Sequence, residues 1–246
     1  MHTDFQKKQP YRRILLKLSG EMLMQGQPFG IHADSCKALA RNIQNLQSTG
    51  MEIGIVIGGG NIFRGTHLEA IGIARSPADL MGMLATLING IALQESLESI
   101  GCKAKVLSAL ECPNVAETYT WRAAMQALSS GTVVIFVGGT GNPYFTTDTA
   151  AALRASEIHA DALLKATKVD GIYSKDPMKY PDAVRYSSLS YSEMLAAKLE
   201  VMDATAVALC RSNQIPILVF DMQKLALENM TDMLFDTRFG SLVSGE

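Results

Sequence analysis

The apolar run Val133–Val137, rich in β-branched residues, passes directly into Gly138-Gly139-Thr140-Gly141-Asn142-Pro143-Tyr144-Phe145-Thr146-Thr147-Asp148 and then into an Ala-rich stretch over 150–157. A β-branched run, a glycine-dense turn and a helix-forming segment read as strand, turn and helix, in that order. Such an order limits the chain to α/β architectures. It also points backbone N–H groups and hydroxyls at one place, where an anion would sit. Taken alone, the stretch is equally a tight loop of any α/β protein, so the other turns have to decide.

The rest of the chain repeats the alternation. Strands are expected over 12–18, 53–57, 104–107, 133–137, 162–165 and 215–220, and a last edge strand at 242–243. Helices are expected over 34–46, with Asp34 as N-cap, and over 77–99, 119–128, 150–157, 191–198, 203–211 and 224–230. Strands that alternate with helices predict an open, largely parallel sheet with helices on both faces, a three-layer sandwich. At 246 residues with 48% apolar content, one domain over 11–246 can bury a sizeable core, with residues 1–10 loosely ordered. The expected helix 77–99 is apolar nearly all round, which predicts a second subunit against it.

Several function classes drop out. A net charge of −2 gives no general field for nucleic acid or an anionic membrane, so any phosphate site must be a local cluster of cations. The polar segment 1–13 lacks the apolar core of a signal peptide, and no stretch reads as approaching the roughly 18 apolar residues of a membrane span. Cys36, Cys102, Cys112 and Cys210 are far apart and read as reduced, buried residues of a cytoplasmic protein. The histidines His2, His32, His67 and His159 have no ligand spacing, so no protein-built metal site is expected. Neither GxxxxGK[ST] nor a strand-borne GxGxxG occurs.

Ligands of parallel sheets bind outside the carboxyl ends of strands. The candidate groups stand there: Lys17-Leu18-Ser19-Gly20, Gly58-Gly59-Gly60 with Arg64, the stretch 138–148, and 165–176. Lys17 and Lys165 each close an apolar run. Each is either a lysine whose head reaches solvent or an ammonium aimed at a phosphate; two in equivalent positions weaken the first reading. Phosphate-friendly turns with strand-end cations suggest phosphoryl transfer, which is mostly positioning and charge neutralisation. A phosphate acceptor, with a second pKa of about 6, is already ionised and needs no general base. Asp148 would then orient the lysines. By spacing, Asp79 is a first-turn carboxylate that complements a helix dipole.

Together, Lys17-Leu18-Ser19-Gly20, Gly58-Gly59-Gly60-Asn61 with Arg64, Gly141-Asn142-Pro143 with Thr146-Thr147-Asp148, and Lys165-Ala166-Thr167-Lys168-Val169-Asp170-Gly171 resemble the amino acid kinase superfamily. From Tyr11 onward the chain is similar to the bacterial uridylate (UMP) kinase branch, on Gly139 to Asp148 and on Met81-Gly82-Met83-Leu84-Ala85-Thr86. The resemblance implies transfer of the γ-phosphoryl group of ATP to UMP, in a cytoplasmic homohexamer. It implies ATP on Lys17, Leu18, Ser19, Gly20, Gly60, Arg64, Thr167, Tyr173 and Asp176. It implies UMP on Gly59, Asp79, Thr140, Gly141, Asn142, Pro143, Tyr144, Phe145, Thr146 and Thr147, with Asp79 on the ribose. Lys17, Lys165 and Arg64 would stabilise the transferring group, with Asp148 as their organiser and Mg²⁺ carried mainly by the nucleotide phosphates. It further implies inhibition by UTP and activation by GTP, the latter through Gln25, Gly26, Gln27, Pro28, Phe29, Gly30 and Trp121. Pro28 departs from the family pattern there, and 94–98 and 129–131 lack basic residues that some relatives carry. The competing readings are a sister kinase for a carboxylate or carbamate acceptor, and a catalytically silent nucleotide-binding regulator.

Overall fold

The computed structural model describes residues 11–24, 26–63, 72–199, 201–226 and 239–246. Gln25, Arg64, residues 1–10 and most of the expected helix 224–230 lie outside the described residues.

Eleven strands are described: β1 (Arg13–Leu18), β2 (Glu52–Ile57), β3 (Ala104–Ser108), β4 (Glu117–Thr118), β5 (Val133–Val137), β6 (Ala162–Thr167), β7 (Ile172–Tyr173), β8 (Arg185–Tyr186), β9 (Ser188–Leu189), β10 (Ile217–Asp221) and β11 (Gly240–Val243). Between them run the helices α1 (Ala33–Ser48), α2 (Arg75–Glu98), α3 (Trp121–Ser129), α4 (Thr147–Glu157), α5 (Tyr191–Ala196) and α6 (Ala204–Ser212). Nine strands form one sheet in the order β4-β3-β5-β2-β1-β6-β10-β11-β9, and β7 and β8 form a separate hairpin. Every pair in the large sheet is parallel except β10–β11.

Alternation along β1 divides the core in two. Ile14, Leu16 and Leu18 face a layer built from α1 and α2, with Leu39, Ile43, Leu87 and Leu93. Leu15 faces the other way, towards α3, α4 and α6, with Ala124, Leu128, Ala151 and Val207. The expected three-layer, largely parallel architecture is thus what the chain adopts. β1 is central: after β2 and β5 the chain crosses over it through α4 to reach β6. The carboxyl ends of β2, β1 and β6 therefore lie side by side, at a change in winding direction.

Several boundaries differ from expectation. β11 is not an edge: β9, a two-residue strand too short to show in the sequence, pairs outside it. α1 is capped at His32 without a side-chain bond, and Asp34 sits inside its first turn. α3 begins after Thr120, whose hydroxyl accepts from the Ala123 N–H, so Tyr119 stands outside the helix and its ring meets Phe136 edge-on at 5.7 Å. α4 begins three residues earlier than expected because Thr146 caps it, accepting from Asp148 N and Thr149 N. β10 begins after Pro216, which has no N–H to donate.

Two further expectations need correction. Cys112 is only half-buried, unlike Cys36, Cys102 and Cys210. Burial raises all three of those thiols, Cys210 to about 12, which makes them poor nucleophiles. And α2 is, by length and apolarity, long enough to cross a bilayer. Here its inner side packs into the core, with Asn89 and Thr86 buried, while Leu80, Leu84 and Ile88 form an exposed apolar stripe at helical spacing.

Candidate active site

Lys17 of β1 and Lys165 of β6 are register partners on adjacent parallel strands. Register partners point to the same face, here the one covered by α4. Both ammoniums therefore rise beneath the first turn of that helix, where unpaired cations would oppose the helix dipole. Asp148, in that turn, meets both. Its Oδ2 accepts from Lys165 Nζ at 2.5 Å, and its Oδ1 stands 2.9 Å from Lys17 Nζ. The Lys165 contact is an aligned hydrogen bond, whereas Oδ1 meets Lys17 as an ion pair alone. Lys165 Nζ also donates to the carbonyl of Val201 at 2.5 Å.

The cluster is largely buried: the three side chains are 13%, 9% and 14% exposed for Lys17, Lys165 and Asp148. Burial by itself raises the Asp148 carboxyl, but the attraction of Lys17 and Lys165 outweighs it and the net shift is downward. Lys165 moves down from the 10.5 of a free lysine, because burial, with repulsion from Lys17, overcomes the pull of Asp148. One carboxylate thus serves two ammoniums in contact with it where two strand ends meet, and Asp203 adds a weaker pull on Lys165 from further away.

On the β2–β5 side of this cluster is a pocket of about 190 Å³ lined by Gly59, Asp79, Met83, Thr140, Phe145 and Thr147. Its rim is the glycine-dense turn after β5, where Gly138, Gly139 and Gly141 take φ of 76°, 60° and 80°, values that side chains with a Cβ rarely adopt. Tyr144 also has φ of 74°. Its N–H is held by Asp79 Oδ2 at 2.7 Å, and Arg75 pairs with the same carboxylate while its guanidinium lies 5.5 Å from the Tyr144 ring centroid. On the β6–β10 side, a pocket of about 440 Å³ is lined by Val169, Gly171, Tyr173, Asp176, Leu199 and Val201. Thr167 closes its turn, accepting from Val169 N and donating to Val169 O. Tyr173 donates to Asp170 at 2.6 Å, which together with burial raises its phenol.

Two pockets thus flank one charge cluster at adjacent strand ends. The amino acid kinase family model matches residues 12–221. The chain belongs to the amino acid kinase family. It is 62% identical over 232 residues to the uridylate kinase of Protochlamydia amoebophila (strain UWE25), covering 94% of this chain and 92% of the relative. It is 52% identical over 217 residues to the uridylate kinase of Dichelobacter nodosus (strain VCS1703A), covering 88% and 90%. Among solved structures, the UMP kinase of Bacillus anthracis superposes with a TM-score of 0.90 at 35% identity, covering 96% of this chain and 97% of that one. The UMP kinase of Ureaplasma parvum gives 0.89 at 38% identity, covering 95% and 99%.

Within this amino acid kinase fold, the expected site residues separate into several groups. Lys17, Asp148 and Lys165 meet directly. Leu18, Ser19 and Gly20 form the turn that leaves β1, where Ser19 Oγ accepts from Glu21 N at 3.3 Å. Gly59, Gly60, Asp79, Thr140, Asn142, Phe145, Thr146 and Thr147 line the smaller pocket; Gly141, Pro143 and Tyr144 lie in its rim turn without lining it. Thr167 stands apart from the lining of the larger pocket, at the end of β6, whereas Tyr173 and Asp176 line it. The loop that holds Gly26, Gln27, Pro28, Phe29 and Gly30 joins the 3₁₀ turn Gly20–Leu23 to α1, on the first core face. Trp121 heads α3 on the opposite face and donates to Glu157 O at 2.8 Å. One chain does not bring Trp121 and that loop together.

Sequence reasoning passed over Asp203. It caps α6, accepting from Ala206 N at 2.8 Å, and takes the Thr149 hydroxyl at 2.9 Å and the Thr146 hydroxyl at 2.5 Å. The turn after β5 and the head of α4 are thereby tied to the segment whose Val201 carbonyl holds Lys165. The sequence reading counted Asp203 as the first residue of the helix expected over 203–211, a place that announces a cap and nothing more. Among the described residues, no group of three or more His, Cys, Asp or Glu could hold a metal ion. Both oxygens of Asp148 face lysine ammoniums, so that carboxylate is committed to Lys17 and Lys165.

Proposed function

We propose that the chain transfers the γ-phosphoryl group of ATP to UMP, giving ADP and UDP. The observation that carries the reading is the register-paired Lys17 and Lys165 on a shared Asp148, set between two pockets at adjacent strand ends. ATP enters as its Mg²⁺ complex and takes the larger pocket, with Thr167, Tyr173 and Asp176, and lays its phosphates along the Lys17-Leu18-Ser19-Gly20 turn towards Gly60 and Arg64. UMP takes the smaller pocket, with Asp79 on the ribose and the turn from Thr140 to Thr147 around base and phosphate. Its phosphate oxygen is ionised near neutral pH and attacks without a general base. Lys17 and Lys165 neutralise charge as it spreads over the transferring group, and Asp148 keeps both in place without taking a proton.

The uridylate kinase names of the relatives support UMP as acceptor over a carboxylate or carbamate, and the intact lysine pair argues against a silent regulator. The proposal includes inhibition by UTP, which offers the same base and ribose to the acceptor pocket. It includes a cytoplasmic homohexamer, supported by the exposed Leu80, Leu84 and Ile88 stripe. GTP activation through the loop that carries Gln25 to Gly30 and through Trp121 requires residues of two copies, since one chain separates them.

A panel of acceptors with Mg²⁺–ATP tests the reading: UMP, CMP, dUMP, AMP, acetylglutamate and aspartate, each with and without GTP. UMP is expected to be turned over far faster than the rest. Turnover of acetylglutamate or aspartate with none of UMP would overturn the assignment.

A further inference from the structure

Asn61 and Asn89 are almost completely buried, at 1% and 0% exposure, an uncommon place for an amide side chain. Asn61 closes the turn after β2, and Asn89 lies midway along α2. Their amides pair head to head: Asn61 Nδ2 donates to Asn89 Oδ1 at 2.9 Å, and Asn89 Nδ2 donates to Asn61 Oδ1 at 2.7 Å. The second hydrogen of each amide goes elsewhere. Asn61 Nδ2 reaches the carbonyl of Gly30 at 2.9 Å, and Asn89 Nδ2 reaches that of Gly58 at 2.7 Å. Gly30 N returns a bond to the Asn61 carbonyl at 2.7 Å. All four amide hydrogens are donated and both side-chain oxygens accept, so the pair is a closed, neutral and fully satisfied unit. Such units hold one arrangement and resist others.

What the pair touches gives it meaning. Gly20, in the turn after β1, lies against it so closely that a Cβ there would stand 2.3 Å from Asn61 Oδ1 and 2.4 Å from the Gly58 carbonyl. Gly58 N donates to Leu18 O at 3.0 Å. A Cβ on Gly58 would lie 3.6 Å from Gly20 N and 3.7 Å from Thr147 Oγ1. The turn that leaves β1, the turn that leaves β2 and the head of α4 therefore converge on one spot, backed by the two amides. An apolar residue at position 89 would fill the space, but would leave the Gly58 carbonyl without its partner and free the turn to shift.

We propose that the Asn61–Asn89 pair is a positioning element for phosphoryl transfer, one that fixes the separation between the β1 turn and the β2 turn and hence between donor and acceptor phosphates. The inference rests on the functional reading above, in which the β1 turn and Gly60 seat the donor phosphates while Gly59 of the β2 turn lines the acceptor pocket. Neither asparagine touches the reacting atoms. Their contribution is alignment, and a displacement of about 1 Å between reacting groups is enough to lower a rate about 10²-fold.

The test uses the full chain with Asn61→Ala, Asn89→Ala and the double variant. It records kcat and KM for both substrates, the Kd of ATP and of UMP measured singly, and Tm. Each single variant is expected to lose about 10² in kcat while it binds each nucleotide alone within a few-fold of the wild type. The double variant should be no slower than the worse single, because the two amides act as one unit. Should an alanine variant fail to fold, Asn61→Ser and Asn89→Ser carry the same comparison. Wild-type kcat in a folded variant, losses that multiply in the double, or a kcat loss matched by equal losses in both single-nucleotide affinities would each overturn the proposal. The wild-type control keeps the two readings apart. If it turns over a different acceptor from the panel, the UMP assignment fails, and the pair is tested on that acceptor instead.

Discussion

The two ends of the parallel sheet each set two cations on one carboxylate, but bury them to different extents. At the amino ends of β1, β2 and β6, one of the two cations stays in water, Arg12 with a side chain 78% exposed. Glu52 takes Arg13 at 2.5 Å and Arg12 at 3.2 Å, and Asp161 accepts the backbone N–H groups of both arginines at 2.8 Å. At the carboxyl ends of the same strands, Lys17 and Lys165 share a single carboxylate. The most spacious cavity described, about 870 Å³, is at the amino end, lined by Tyr11, Asp161, Tyr191, Arg211, Pro216 and Glu246. Volume therefore does not mark the site in this molecule. Two largely buried ammoniums in contact with one carboxylate, beside glycine-dense turns, do, because a phosphate would bring them a further anion.

The sharpest way to break this comparison is at Lys165. Lys165→Ala removes one of the two cations that the proposed function sets on the transferring group. Loss of one preorganised donor at such a position costs about 10² to 10³ in rate. Here kcat is expected to fall towards the upper end of that range, because Lys165 is the more buried of the two lysines. Steady-state kinetics with UMP and Mg²⁺–ATP measure it. Wild-type turnover in a folded Lys165→Ala protein would separate the charge cluster from the chemistry.

How far this asymmetry is legible in the sequence differs from residue to residue. Lys17 and Lys165 could be read because a lysine at the close of an apolar strand run is costly, and because strand alternation puts both on one face once β1 and β6 pair. Asp148 could be read as the carboxylate that follows the glycine-dense turn, although the expected helix began only at 150 and its place in the first turn came from the structure. Asp203, Asn61 and Asn89 could not, since each looks ordinary where it stands: a cap, a turn residue and one polar position in a helix. Asn89 did leave a trace, as a polar residue on the buried stripe of α2 with Leu93 and Leu97, but naming its partner requires the tertiary structure. The order of the outer strands was hidden for a different reason: β4, β7, β8 and β9 are two residues each, shorter than any periodicity can report.

A second test separates the two ends by pH. Lys165 titrates below the 10.5 of a free lysine. As pH rises through that lowered value its ammonium is lost, and kcat should fall by up to about tenfold per unit if the charged form alone supports transfer. The sign of the stability effect is opposite. Between the folded and unfolded values of Lys165 the unfolded chain binds more protons, so this group's contribution to stability increases with pH. Alkaline inactivation should therefore precede unfolding and reverse on return to neutral pH. Asp148, lowered below the 3.8 of a free carboxyl, stabilises the fold above that pH and loses its contribution as pH falls through its folded value. It stays ionised across the neutral range and contributes no limb there. A rate profile flat up to the onset of unfolding, followed by far-UV circular dichroism, would place the alkaline limb elsewhere.

The smallest effect on activity is expected at the amino end, and it tests the other half of the comparison. Glu52 is 8% exposed and accepts from Arg13 Nε at 2.6 Å, while the Arg12 side chain that also meets it is largely in water. Glu52→Gln keeps an oxygen for Arg13 but leaves that guanidinium, 14% exposed, without its counter-charge. Arg13 still donates to the Ile158 carbonyl at 2.5 Å, so part of its hydrogen bonding survives. The loss should fall short of the 3 to 5 kcal/mol seen when a buried pair is broken outright, at about 2 kcal/mol. For a chain of this size that is a fall of about 4 to 8 °C in Tm, measured by calorimetry. At 25 °C, well below that transition, kcat and both KM values should stay at wild type, because the pair is at the far end of the strands from Lys17 and Lys165. A drop in kcat without a drop in Tm would mean that the amino end also takes part in transfer, and that the ion pair there has a role beyond holding β1 against β2 and β6.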